Sequence, residues 1–200
     1  MHTYKTLLGP SEEVLYKDRK SKFYAYAYPL NSEEEAKEII DGLRKKHPNA
    51  NHICYAWQLG AETIRYRAND DGEPNNSAGM PIYGQIQSFG LTNVLVAVVR
   101  IFGGTKLGVG GLIQAYKTAA SMAIGNATVV ERQLVEHFEL TFPYTMLDVV
   151  MRTIKKHQLD IVSQKMELSC KMVVSVAKKD LEKTKGTLMG LHQVNVEKLA

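Results

Sequence analysis

The segment Val94–Phe102 reads VLVAVVRIF, an almost unbroken apolar run with one charge, Arg100. It is too short for a membrane span, which needs about 20 apolar residues. It is rich in valine and shows no alternation of polar and apolar positions. Such a run reads as a central β-strand covered on both faces. Arg100 is the exception, and a buried arginine requires an ionic partner. Asp70, Asp71 and Glu73, in the preceding polar loop, are the available acids. The strand and that loop are therefore expected to meet.

The other elements follow from periodicity. Lys22–Leu30 alternates, with Tyr24, Tyr26 and Tyr28 on one face and Phe23, Ala25 and Ala27 on the other. The tyrosine stripe would stack bases on an open sheet face or pack under a helix, and packing is the favoured reading. A helix follows. Ser32 and Glu35 form a capping box, Ala36, Ile39, Ile40 and Leu43 form one apolar stripe, and Pro48 ends it. Strands are predicted at His52–Leu59 and about Thr63–Arg67, with a helix near Gly79–Phe89. A last helix in this half carries Leu112, Ile113, Tyr116, Ala119, Ala120 and Ala123 on one side.

Composition shifts at Gly125–Arg132, and a domain boundary is placed there, giving domains 1–130 and 131–200. The second domain reads strand 134–142, helix 145–157, strands 160–165 and 167–177, helix 180–190, strand 193–198. That β-α-β-β-α-β order is the ferredoxin-like split βαβ arrangement, a scaffold of many uses.

Two segments carry chemistry. Asn69–Pro81 reads NDDGEPNNSAGMP, with Asp70, Asp71 and Glu73 around a turn enforced by Gly72 and Pro74. Three readings stand: a solvated turn whose aspartates cap backbone N–H groups, an oxygen-ligand site for a divalent cation, or a surface for a basic partner. The spacing is not that of a calcium loop. Arg100–Gly111 reads RIFGGTKLGVGG. Gly103, Gly104, Gly108, Gly110 and Gly111 allow close backbone approach and positive φ. Amides at the start of the following helix favour an anion, and Lys106 adds a point charge. A purely structural turn is the other reading, since neither phosphate-loop pattern is present. A side chain at Gly110 is expected to block the approach. His52 and Cys54 share a strand face, and without any nucleophile motif they read as half-buried strand.

The chain has 200 residues, a net charge of +4 and two widely spaced cysteines. No disulfide scaffold, structural zinc site, cofactor or metal is expected. The N-terminus shows no secretion signal, so the cytoplasm is the expected compartment. Charge is spread evenly over both halves and gives little support for a dedicated nucleic-acid module.

These segments resemble the IMPACT family, called YigZ in bacteria. The resemblance runs through KSKFYAYAYPL (20–30), HPNANHICYAWQLG (47–60), NDDGEPNNSAGMPI (69–82) and LTNVLVAVVRIFGGTKLGVGGLIQAY (91–116). It implies an α+β fold. The N-terminal domain would be an α/β sandwich similar to domain IV of elongation factor G, with a left-handed βαβ crossover against the usual hand. The C-terminal domain would be similar to its ferredoxin-like domain V. It implies a cytoplasmic, translation-associated factor binding RNA, the ribosome or a translation-associated protein, with no membrane partner. Asp70, Asp71, Gly72, Glu73, Pro74, Ala78, Gly79 and Pro81 match the first family motif. Arg100, Phe102, Gly103, Gly104, Lys106, Leu107, Gly108, Gly110 and Gly111 match the second. Asn75-Asn76 stands where the family has a small pair such as Ser-Gly, and Ile101 replaces an aromatic. No reaction is implied. The alternative is a metal-assisted enzyme acting on a phosphate-containing ligand.

Overall fold

The run beginning at Val94 is the middle strand of a five-stranded sheet. The computed structural model describes residues 2–199, in two units: Tyr4–Arg132, and residues 133–199 together with 2–3. Up to the change of unit the elements are β1 (Thr3–Leu7), β2 (Val14–Asp18), β3 (Ser21–Pro29), α1 (Glu33–Lys46), β4 (His52–Leu59), β5 (Arg65–Asn69), α2 (Gly79–Ser88), β6 (Val94–Ile101), α3 (Gly108–Gly125) and β7 (Val129–Gln133). The sheet runs β2-β3-β6-β4-β5 with every neighbouring pair antiparallel. β3 and β4 are therefore parallel to each other on either side of β6, and α1 connects them.

β6 shows no alternation because both of its faces are covered. Val94, Val96 and Val98 pack with α2 and α3, while Leu95, Ala97 and Val99 pack with α1. β3 divides the same way: Phe23, Ala25 and Ala27 face α2 and α3, and Tyr26 is buried on the α1 side with Tyr24 and Tyr28 packed beside it. The tyrosine stripe thus lies under a helix.

α1 begins where Ser32 Oγ accepts the Glu35 N–H at 3.2 Å. The Glu35 carboxylate accepts from Asn31 N at 2.7 Å, one residue before the position a capping box would use. Glu33, Glu34 and Glu35 occupy its first turn and Arg44, Lys45 and Lys46 its last, each favourable to the helix dipole. It buries Ala36, Ile40 and Leu43 against the sheet.

Three strands lie where none was expected from sequence. β2 is an edge strand beside β3, and β1 pairs with β7 as a two-stranded sheet. None of the three has a continuous apolar face, and their residues are mostly exposed or half-buried. In α3, Ile113 is 39% exposed, and Ala115 takes the buried place expected for it.

The second unit contains β8 (Val135–Pro143), α4 (Leu147–Lys156), β9 (Asp160–Lys165), β10 (Ser169–Ala177), α5 (Leu181–Met189) and β11 (Asn195–Lys198). Its sheet order is β11-β8-β10-β9, all antiparallel. This is a split βαβ arrangement. Phe138, Leu140 and Phe142 of β8 and Cys170, Met172, Val174 and Val176 of β10 form its core with Val150, Ile154 and Leu188 of the helices. The chain is thus a mixed α+β protein. Among the described residues no helix is long and apolar enough to cross a membrane.

Candidate functional site

The strand register places Phe23, Arg100 and His52 side by side on β3, β6 and β4. All three continue the face that packs against α2 and α3. Arg100 is only 5% exposed. Its Nη1 donates to Glu73 Oε1 at 2.6 Å, and Tyr116 of α3 donates its hydroxyl to the same oxygen at 2.7 Å. The guanidinium carbon lies 5.6 Å from the Phe23 ring centroid and 5.4 Å from that of Phe102. The acidic loop and the strand do meet, through Glu73. Low local dielectric strengthens this charge-assisted bond, and the Tyr116 hydroxyl supplies a second donor to the carboxylate. Burial and the neighbouring Cys54 and Glu73 hold the Tyr116 hydroxyl well above its ordinary pKa, so it remains a donor.

Asp70 and Asp71 do different work. Asp70 Oδ1 accepts the Ala78 and Gly79 N–H groups at 3.0 and 2.8 Å, and Oδ2 accepts the Asn76 N–H at 2.8 Å. It therefore caps α2 from a distance in sequence, at a helix whose own N-cap residue, Ala78, has no side-chain oxygen. Asp71 Oδ2 accepts the Ile53 N–H at 2.6 Å and lies 3.5 Å from Arg44 Nη2. The Asp71 carbonyl oxygen sits 2.8 Å from His52 Nδ1. Each carboxylate of the motif is thus engaged in a separate task. Among the described residues no three His, Cys, Asp or Glu side chains converge to hold a metal ion. The cation-site reading of the acidic turn has no geometric support; the capping reading does.

A cleft of about 440 Å³ opens beside the Arg100–Glu73 pair. Arg100, Glu73, His52, Phe102, Lys106 and Gly108 line it, and Pro74 forms part of its wall. α3 starts at this cleft. No side chain caps its N-terminus, so its first N–H groups have no partner from the helix or from a cap. Gly108, the first helical residue, has φ +73° and is exposed, so no Cβ stands between the amides and the cleft. Lys106 is exposed and makes no ion pair among the described residues. With Glu73 neutralised by Arg100, the remaining charge of the cleft is positive.

The predicted site residues divide three ways. Glu73, Pro74, Arg100, Lys106 and Gly108 line the cleft. Asp70, Asp71, Gly72, Gly79 and Gly103 build its frame. At Gly103 a Cβ would fall 2.0 Å from the Lys20 carbonyl carbon, so only glycine fits there. Gly104, Gly110 and Gly111 are outside the lining. Gly110 has an ordinary helical φ, and a Cβ there would meet nothing within 4 Å. A positive φ at Gly110 is not required; within the glycine-rich segment the position closed to a Cβ is Gly103, as Gly79 is in the acidic segment.

Sequence reasoning passed over three residues of this site. His52 reads as part of a strand face and Tyr116 as part of a helix face, and only the tertiary arrangement brings them to Glu73. Phe102 belongs to the second motif, but nothing local in the sequence gives it a role. Cys54, on the same face as His52, is fully buried, its thiol 3.0 Å from the Asp70 carbonyl oxygen. Burial pushes that thiol well above its ordinary pKa, and Cys54 is not among the residues that line the cleft.

Fold and site together define a two-unit α+β protein in which an acidic Gly-Pro turn is locked onto an arginine of the central strand. The Impact N-terminal domain matches residues 19–124, more than half of the chain. The chain is similar to the IMPACT family member YvyE of Bacillus subtilis, 35% identical over 158 residues, spanning 79% of this chain and 72% of that one. It is similar to an IMPACT family member of Haemophilus influenzae, 32% identical over 182 residues, spanning 88% of this chain and 87% of that one. The crystal structure of a hypothetical protein superposes with a TM-score of 0.74 at 23% identity, covering 100% of this chain and 98% of its own, and shares its fold. The chain belongs to the IMPACT family.

Proposed function

We propose that this protein is a translation-associated factor that binds RNA or the ribosome through phosphate groups held in the cleft between the acidic turn and α3. In this reading the N-terminal unit corresponds to domain IV of elongation factor G and the second unit to its domain V. One observation supports it most: the Arg100–Glu73 bond sets an uncapped helix N-terminus and an unpaired lysine on the same open cleft. Helix N-terminal amides and a lysine are a standard reception for phosphate oxygens. Glu73 does not repel the anion, because its charge is held by Arg100 and the Tyr116 hydroxyl.

Co-sedimentation with ribosomes and with total RNA over a salt series tests this reading. Wild-type binding should weaken steeply with salt. Lys106→Ala should weaken it about equally for all sequences and make the salt slope shallower by about one unit. Binding that is absent at low salt, or identical in the variant, defeats the proposal. A complex insensitive to salt would instead mark a protein partner.

A further inference from the structure

The opposite wall of the cleft bears on what is attached to the phosphate. Phe102 is 42% exposed, although it follows a strand that is almost wholly buried. Its backbone is fixed from two sides. Its N–H donates to Asn51 Oδ1 at 2.8 Å, and the next residue, Gly103, donates its N–H to Ser21 Oγ at 3.2 Å and lies against the Lys20–Ser21 backbone. The ring itself lies 5.4 Å from the Arg100 guanidinium carbon. A cation held over an aromatic ring is attracted to it and helps hold it in place. The Arg100 Nε is buried and has no hydrogen-bond partner, an unusual state for a donor this deep. The cleft thus brings together an exposed ring, the α3 amides and Lys106.

From this arrangement we infer that the cleft takes one unpaired nucleotide of a single strand, its phosphate at the N-terminus of α3 and its base against Phe102. The inference rests on the phosphate reading above and adds the base. The volume of about 440 Å³ is in the range of small-ligand sites. A duplex keeps its bases stacked inside and offers no free π-face, whereas a single strand does. Every base has such a face, so the cleft should select unpaired strands with little preference for sequence. Asn51 and His52 also line the cleft and add polar groups to it.

The experiment measures fluorescence anisotropy of the full chain with three labelled probes: a single-stranded RNA decamer, the same decamer annealed to its complement, and polyphosphate. The variants are Phe102→Leu, which keeps an apolar side chain of similar bulk, Phe102→Tyr, which keeps the ring, and Lys106→Ala. Trp57 fluorescence checks folding in each. Wild type should bind the single strand at least about tenfold more tightly than the duplex. Phe102→Leu should lose about tenfold or more on the single strand only, a loss expected for one base–aromatic stack. Phe102→Tyr should retain wild-type affinity. Lys106→Ala should weaken all three probes. If Phe102→Leu equals wild type on the single strand, or the duplex binds as tightly, the nucleotide inference is overturned while the phosphate reading stands. If Lys106→Ala changes nothing on any probe, or no probe binds, both fall.

Discussion

Removing the Arg100 side-chain charge is the sharpest perturbation this structure offers. Arg100→Met keeps most of the aliphatic stem and deletes the guanidinium. Glu73 would then remain with a 4% exposed carboxylate, one hydroxyl donor from Tyr116, and His52 Nε2 at 3.9 Å. Breaking one side of a buried pair typically costs about 3–5 kcal/mol, because the surviving charge has lost its partner. The van der Waals contacts of Arg100 with the Phe23 and Phe102 rings are also weakened, so the upper half of that range is expected. Glu73→Gln is milder. It removes the charge but keeps an oxygen to accept from Arg100 and Tyr116, and should cost about 1.5–3 kcal/mol. The double variant Arg100→Met with Glu73→Met removes both charges and refills the space with apolar atoms. It should recover most of the loss, since hydrophobic replacement of a complete buried pair is often neutral.

The assay is urea unfolding at neutral pH followed by Trp57, the single tryptophan, which is buried between the sheet and α1 and so reports on the unit Tyr4–Arg132. Arg100→Met, the single Glu73→Met and their double form a cycle, with Glu73→Gln as the milder comparison, and coupling between contacting residues is expected at about 0.5–3 kcal/mol or above. If Arg100→Met unfolds within about 0.5 kcal/mol of wild type, or the double variant loses the sum of the singles, the pair does not hold the loop and the reasoning fails.

Four further outcomes follow from the same geometry. Gly103→Ala should abolish folding of the first unit, since its Cβ would overlap the Lys20–Ser21 backbone, while Gly110→Ala should be neutral or stabilising by up to about 1 kcal/mol; circular dichroism melts separate the two. Asp70→Ala removes the acceptor for three N–H groups at the start of α2 and should cost about 1–2 kcal/mol in urea titration, with Asp70→Asn intermediate. The Tyr26 hydroxyl and Lys46 hold Glu13 below its ordinary pKa of 4.5, and burial holds His47 below 6.5, so both bind fewer protons folded than unfolded; stability should be full above about pH 7, fall as pH drops through 6.5 and fall again below 4.5, and an acid limb unchanged by Tyr26→Phe would refute this. Finally, a fragment of residues 1–133, which retains β7, should unfold cooperatively by itself, and a molten, protease-sensitive fragment would show that the first unit needs the second.

What was legible in the sequence is what a single segment can encode. The unbroken apolar run of β6, the alternation of β3, and the capped, striped α1 each carry their own periodicity, and each folds as read. β1, β2 and β7 were illegible because edge and ribbon strands bury too little for the period to show. The pairing of Arg100 with an acid followed from burial alone, since a charge in an apolar strand has few alternatives. Which acid answers it did not. Asp70, Asp71 and Glu73 are equivalent in sequence, and the distinction comes from α2: its uncapped start draws Asp70, the Ile53 amide draws Asp71, and Glu73 alone turns to β6. The cleft is a property of register, with His52 opposite Arg100, and the periodicity of one segment does not say which residue of a strand distant in sequence it will face.

The two departures from the family pattern can be judged by the same register. Ile101 follows Arg100 by one residue, so its side chain points to the opposite sheet face, the one shared by Leu95, Ala97 and Val99. It lies outside the cleft lining, and the aromatic it replaces would have faced away from Arg100 too. Asn76 has φ +61° and donates its N–H to Asp70 Oδ2. The position calls for a left-handed residue, which glycine supplies without strain and asparagine tolerates better than other side chains. The substitution therefore preserves the turn that delivers Glu73 to Arg100. Ile101 and Asn76 are not among the residues that line the cleft. Asn76→Gly should leave both urea stability and single-strand affinity within twofold to threefold of wild type. Asn76→Val, β-branched at positive φ, should destabilise the first unit by at least about 1 kcal/mol. A large gain or loss of affinity in Asn76→Gly would mean that this residue touches the ligand and that the lining is drawn too narrowly.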